Sequence, residues 1–327
     1  MILLDTRCGS TLFGHIARVM PAALLGILTG LLMPNIGQAK EPAASNLPST
    51  SKDDTKKTTD SEQTPSVLEE RLVREKQTES NRFVITLYKP NYLLPLTYNS
   101  TKNEAYGKLE SLEVKYQLSI KVPLSDNFFG TSGKLDFGYT QMSFWQAYNK
   151  DTSGPLRETN YEPELMLSFV NDARVFGFTN RLVTLGLVHQ SNGRDLPESR
   201  GWNRIYANFV LERGNFYLMF KPWYRIPEDP KASPTDTRGD DNPDIEDYMG
   251  HGEVTVMYVF RGHTLALMRR NNLKSEHRGA FQIDWSLPMH NRVRGYIQYF
   301  NGYGESMIDY NHVTRRIGVG FILSDGL

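Results

Sequence analysis

From about residue 83 onward, apolar and polar side chains alternate with a period of two. Val293, Gly295, Ile297 and Tyr299 interleave with Arg294, Tyr296, Gln298 and Phe300, and Ile317, Val319, Phe321 and Leu323 interleave with Gly318, Gly320 and Ile322. An extended chain sends successive side chains to opposite faces, so this is the signature of strands with two unlike faces. Comparable runs cover roughly 113–122, 133–145, 160–171, 180–190, 203–212, 215–225, 250–260, 263–271 and 278–287, and with 83–98 they predict about twelve strands. Arg213-Gly214-Asn215, Arg261-Gly262-His263 and Met289-His290-Asn291 read as short turns, whereas 226–248 is long and carries Pro, Asp and Gly.

Past the first forty residues no apolar segment is long enough for a spanning helix, and the mean hydropathy is negative. A closed barrel can still cross a membrane, because lipid requires only every second residue to be apolar. The alternative is a soluble β-sandwich. Strands of about ten residues match a tilted crossing, whereas sandwich strands run to about six. Aromatic residues at Phe144-Trp145, Trp202, Trp223-Tyr224 and from Tyr296 to Tyr303 sit near strand ends, where interfacial belts form. The expected fold is all-β, a twelve-stranded antiparallel transmembrane β-barrel over 83–327.

The chain opens differently. Arg7 and Arg18 precede an apolar run from Val19 to Met33, followed by Gly37-Gln38-Ala39, which reads as an export signal over 1–39 cut after Ala39, with an uncleaved anchor as the alternative. Residues 40–82 lack aromatics and are dominated by Ser, Thr, Pro, Lys, Asp and Glu, so they are expected to form a disordered polar tether. Within it, Val67, Leu68, Leu72 and Val73 fall at helical spacing, a short helix that would be marginal alone. The single cysteine, Cys8, lies in the leader, and a net charge of zero gives no electrostatic reason to expect a nucleic-acid partner.

Candidate chemistry lies on the apolar face of one strand. Counting back by twos from Ser191 gives His189, Leu187, Leu185 and Val183, so a hydroxyl and an imidazole share a face with large aliphatic side chains. On the next strand Asn203 shares a face with Ile205, Ala207, Phe209 and Leu211. If the two strands pair, His189, Ser191 and Asn203 converge. Serine is a weak nucleophile until a neighbouring base takes its proton, imidazole is suited to that near neutral pH, and a third group must orient the ring. Asn203 can accept from the ring without the desolvation cost of a carboxylate near lipid. A strand-end histidine that only hydrogen-bonds at an interface is the structural alternative.

Several motifs carry a family resemblance. His189-Gln190-Ser191-Asn192-Gly193-Arg194 and Ser199-Arg200-Gly201-Trp202-Asn203-Arg204 resemble the outer membrane phospholipase A family of Gram-negative bacteria. Arg157-Glu158-Thr159-Asn160-Tyr161-Glu162-Pro163, Lys221-Pro222-Trp223-Tyr224, Asp240-Asp241-Asn242-Pro243-Asp244-Ile245 and the run from Gly302 to Asn311 agree further. The resemblance implies an outer-membrane barrel with Ser191 as nucleophile, His189 as base and Asn203 as its orienting partner. It also implies phospholipid and lysophospholipid acyl esters as substrates and Ca2+ as cofactor. The calcium ligands it implies are the carbonyls of Ser153 and Arg194 and the hydroxyl of Ser199, with Asp241 as a linked acid. Glu162 and Asp195 are nearby acids whose simpler reading is solvated loop charges. It further implies a homodimer when active and a monomer when resting, with Gln141 either at the lipid-facing interface or facing the lumen. The loop Pro227 to Gly239 is longer than the family pattern. A non-catalytic pore or structural barrel, and a lipid acyltransferase, are the rival functions.

Overall fold

The computed structural model describes residues 65–78, 84–103, 105, 107–130, 132–151, 154–290 and 293–324, all within one compact unit, Thr64–Leu327. The expected signal over 1–39, most of the tether and the ligand candidate Ser153 lie outside these residues.

Helix α1 (Val67–Thr78) and a two-residue strand β1 (Thr86–Leu87) precede twelve long strands: β2 (Asn91–Asn99), β3 (Leu112–Ser125), β4 (Lys134–Trp145), β5 (Leu156–Val175), β6 (Phe178–Ser191), β7 (Gly201–Arg213), β8 (Phe216–Ile226), β9 (Gly252–Phe260), β10 (His263–Asn271), β11 (Gly279–His290), β12 (Val293–Gly302) and β13 (Thr314–Ser324). Each of the twelve pairs antiparallel with its chain neighbours, β13 pairs with β2, and β3 pairs with β4, so the sheet closes into a barrel. Closure leaves no open edge, which excludes the sandwich. β1 prolongs the row of β2 along β3, pairing at Lys121 and Ile120. The interruption coincides with Pro90, which has no N–H to give a ladder.

Connections alternate in length. Two residues join β5 to β6, β7 to β8, and β9 to β10, and eight join β3 to β4, while the opposite end carries loops of seven or more residues after β2, β4, β6, β8, β10 and β12. A short helix, α2 (Ile245–Met249), lies in the longest of them and was not expected from the sequence.

The alternation sorts the two faces as predicted. Outward positions on β13 are Ile317, Val319, Phe321 and Leu323, and β3 and β4 add Leu118 and Phe137, all exposed as a lipid-facing wall requires. Inward, the lumen is filled by ions rather than by aliphatics. Arg316, 2 % exposed, meets Glu113 at 2.7 Å and Glu305 at 2.9 Å. Lys115 bonds Glu305 at 2.9 Å, and Arg157 bonds Glu113 at 2.7 Å and Asp309 at 2.6 Å. Three cations thus balance three carboxylates where a lone charge would be costly. Asp309 belongs to the β12–β13 loop, which is drawn into the barrel mouth with Met307 and Ile308 buried.

One expectation is overturned by the barrel's parity. Trp202 and Trp223 do not join an interfacial belt: both are buried inside, edge to face at 6.2 Å, with the Arg204 guanidinium 4.0 Å from the Trp202 ring centre. Their positions on β7 and β8 have inward parity, so cation–π packing in the lumen wins over the membrane interface. Trp145 does face outward, as does an aromatic row of Phe216, Tyr258 and Phe260. The short helix expected at Val67, Leu68, Leu72 and Val73 is α1, and the barrel holds it. Ser66 and Glu69 exchange backbone-to-side-chain hydrogen bonds of 2.9 and 3.1 Å at its start, a capping box. Leu68 packs against Val210, Tyr217, Met257 and Ala266, and Glu69 and Glu75 pair with Arg181 and Lys121 at 2.6 and 2.8 Å. These contacts put the helix at the short-turn mouth and supply what a marginal helix lacks alone.

The ion cluster yields a stability test. Arg316→Met leaves Glu113 and Glu305 facing each other without their shared cation, and we expect a loss of about 3–5 kcal/mol, measured as a lower guanidinium unfolding midpoint of the refolded barrel.

Candidate active site

β6 and β7 register so that His189 lies opposite Asn203, and Ser191 opposite Gly201. Leu187 and His189 are exposed and Val188 is buried, so the His189–Ser191 face looks out of the barrel. Asn203 has the same parity, flanked by buried Trp202 and Arg204. His189 Nδ1 and Asn203 Oδ1 are 2.9 Å apart, a hydrogen bond in which the ring nitrogen donates to the carboxamide oxygen. That tautomer leaves Nε2 with its lone pair free to accept a proton. Ser191, two residues along the same face, ends the strand beside Tyr161 of β5.

The wall behind these groups is locked from inside. Gln190, between His189 and Ser191, points to the lumen, where its Oε1 accepts from Trp202 Nε1 and from an Arg204 nitrogen, both at 2.9 Å. Outside, the room between imidazole and hydroxyl is kept by Gly201, where an added Cβ would lie 3.5 Å from Ser191 Cβ and 3.9 Å from His189 Cε1.

The loop after Ser191 is organised by Asn192, which is buried. Its Oδ1 accepts from the Arg200 and Arg194 amides at 2.9 and 3.3 Å, and its Nδ2 donates to the Glu198 carbonyl at 2.9 Å. Gly193 turns with φ +64°, a conformation that favours glycine. The Arg194 side chain is tied to Glu158, Glu198 and the Arg157 carbonyl, which fixes the loop against β5. The long β8–β9 loop braces it from the other side: the Gly201 amide donates to Asn242 Oδ1 at 2.9 Å, and Arg225 grips Asp240 at 2.6 Å. In the same loop system Tyr310 donates to Asp244, and burial together with that carboxylate pushes its phenol up. Asn192 and Asn242 had sequence signals, since each lies in a stretch that carries the family resemblance, but their bracing role depends on contacts that no spacing reveals.

Of the expected calcium ligands, the structure brings Ser199 and Asp241 together, with Ser199 Oγ donating to Asp241 Oδ2 at 2.5 Å. Asp241 Oδ1 is buried with no aligned hydrogen-bond donor, and Lys231 Nζ lies 2.7 Å from it. Among the described residues no three His, Cys, Asp or Glu side chains gather as a metal cluster. Ser199 Oγ and the Asp241 carboxylate offer oxygen donors, the kind that suits calcium. Glu162 is not a solvated loop charge: it is a lumen residue of β5 bonded to Lys89 at 2.5 Å. Asp195 is exposed on the loop, as expected. Gln141 faces outward between Tyr139 and Ser143, to both of which it is hydrogen bonded, so the lumen alternative is set aside.

The phospholipase A1 family profile matches residues 68–323. Phospholipase A1 of Salmonella typhimurium is 36 % identical over 312 residues, covering 94 % of this chain and 99 % of the relative. Phospholipase A1 of Escherichia coli K12 is 39 % identical over 255 residues, covering 76 % of this chain and 84 % of the relative. Among solved structures, the Escherichia coli outer membrane phospholipase A superposes with a TM-score of 0.69 at 38 % identity, covering 76 % of this chain and 94 % of that one. The Salmonella typhi outer membrane phospholipase dimer with bound calcium gives 0.69 at 40 %, with the same coverage.

Side chains added at Gly201 test the space between the His189 imidazole and the Ser191 hydroxyl. Gly201→Ala, at ordinary contact distances, is expected to react with a fluorophosphonate probe within about threefold of the parent rate, whereas Gly201→Val, whose extra methyls enter the gap, is expected to slow labelling by roughly tenfold or more with an unchanged unfolding midpoint.

Proposed function

Because the chain belongs to the phospholipase A1 family, we propose that it hydrolyses phospholipid acyl esters in the outer membrane, at either acyl position and in lysophospholipids, through Ser191, His189 and Asn203. The observation that carries this reading is the 2.9 Å bond from His189 to Asn203 on the outward wall, beside Ser191. A nucleophile there meets acyl esters without drawing the lipid into the lumen.

His189 Nε2 takes the proton from Ser191 Oγ as the oxygen bonds to the ester carbonyl carbon. The imidazolium so formed is held through Nδ1–H by Asn203 Oδ1. As the tetrahedral intermediate collapses, the carbon–oxygen bond to the glycerol breaks and His189 returns the proton to that leaving oxygen. The acyl-serine is then cleaved by water, with His189 as base again.

A calcium ion held by Ser199 Oγ, the carbonyls of Arg194 and Ser153, and Asp241 through the shell would supply positive charge for the oxyanion. The calcium bound in the dimeric Salmonella typhi relative supports calcium as the cation. On this reading the chain pairs with a second copy when active and is monomeric at rest. Gln141, a polar group on an outward wall, is suited to bonding its counterpart across that interface.

Two measurements test the reading. Ser191→Ala is expected to lower hydrolysis of a short-chain phospholipid in detergent by at least about a thousandfold, and retained activity would remove the proposed nucleophile. Asp241→Asn is expected to weaken calcium binding, followed by calorimetry on the refolded protein in the absence of substrate, and to raise the calcium concentration needed for half-maximal hydrolysis; an unchanged calorimetric affinity would remove Asp241 from the site.

A further inference from the structure

Asn203 is held on both sides. Its Oδ1 receives the His189 ring, and its Nδ2 donates to Glu228 Oε1 at 3.1 Å. Glu228 follows β8 by two residues, and Ile226 at the end of that strand pairs with Asn203. Imidazole, carboxamide and carboxylate therefore run sideways from β6 through β7 to the loop that leaves β8. Glu228 stands at the start of the long β8–β9 loop, within the stretch that exceeds the family pattern.

We propose that Glu228 is a positioning residue that acts on the base through Asn203. A carboxamide can face either way round, and the choice decides what the imidazole meets. With Nδ2 given to the Glu228 carboxylate, only Oδ1 is left for His189; the reversed amide would set oxygen against carboxylate and a donor against the Nδ1–H. Glu228 thereby selects the ring tautomer that leaves the Nε2 lone pair free to take a proton. The carboxylate also draws the N–H group and leaves Oδ1 more negative, which strengthens its hold on the ring when His189 carries the serine proton. The charge that serine hydrolases commonly set directly behind the histidine is here moved one residue outward. At Asn203 it would stand on an apolar wall, whereas at Glu228 it stands past the strand end, half-buried in the loop layer, where water lowers its desolvation cost.

The inference rests on the base and nucleophile assigned above. Its test is a set of refolded full-length variants assayed on a short-chain phospholipid in detergent with calcium: Glu228→Ala and Glu228→Gln, each alone and combined with Asn203→Ala, beside Ser191→Ala. Heat-dependent gel mobility confirms that each barrel has folded. Glu228→Ala is expected to lower kcat roughly tenfold with KM within about twofold, the size of a lost charge-assisted hydrogen bond. Glu228→Gln, which keeps an acceptor but not the charge, is expected to fall between the two. In the Asn203→Ala background the Glu228 substitutions are expected to have no further effect, because the intermediary is gone. An unchanged kcat in Glu228→Ala, full kcat in Glu228→Gln, or an equal loss with and without Asn203 would overturn the inference. Ser191→Ala separates the two levels: if it is inactive while Glu228→Ala is unaffected, the positioning role alone fails; if it stays active, the hydrolytic centre itself fails.

Discussion

Inside a bilayer no water is present to bond a bare backbone N–H or C=O, and that constraint governs everything else in this molecule. The sheet must return on itself, which it does where β3 meets β4 and β13 meets β2. Once it is closed, parity along each strand has a fixed meaning: one set of side chains faces acyl chains and the other faces a small interior. The interior cannot be left half-polar. Arg316, Lys115 and Arg157 answer Glu113, Glu305 and Asp309, and the loop that carries Glu305 and Asp309 is thereby fastened into the long-loop mouth. At the opposite mouth α1 is fastened by the same kind of bond, with Glu69 and Glu75 paired to Arg181 and Lys121.

The candidate site inherits its placement from this parity. His189, Ser191 and Asn203 keep outward positions, so the residues between them face inward and can be used as a frame. Gln190, Trp202 and Arg204 form that frame, and their hydrogen bonds hold the wall from its inner side. A polar triad exposed on an apolar wall has few direct neighbours of its own. Its rigidity comes from the lumen behind it and from the loops above it, where Asn192 and Asn242 join the β6–β7 and β8–β9 connections.

The barrel was legible in the sequence because period two survives in every strand, and its closure followed from the need to leave no edge. The pairing of His189 with Asn203 was legible for the same reason, since both lie at outward parity near the ends of consecutive strands. Residues whose meaning depends on distant partners were not legible. Trp202 and Trp223 have the composition of a membrane belt but the parity of the lumen, where Arg204 packs on their rings. Glu162 looked like a solvated acid because Lys89, its partner, is far away in sequence. The α1 segment has too few apolar residues to announce a docked helix, and its stability comes from Leu68 meeting a lumen cluster and from ion pairs with β3 and β6. Glu228 lies in an irregular loop with no periodicity to read.

An outward triad changes how reactants travel. A pocket sunk within a protein needs an entrance, and a long two-tailed molecule would have to leave its leaflet to reach it. A wall on which Ser191 acts as proposed needs none: neighbours drifting in the plane brush past it, and encounter becomes a two-dimensional search. The factor that sets supply is then the crowding and order of the surrounding leaflet rather than the width of any doorway.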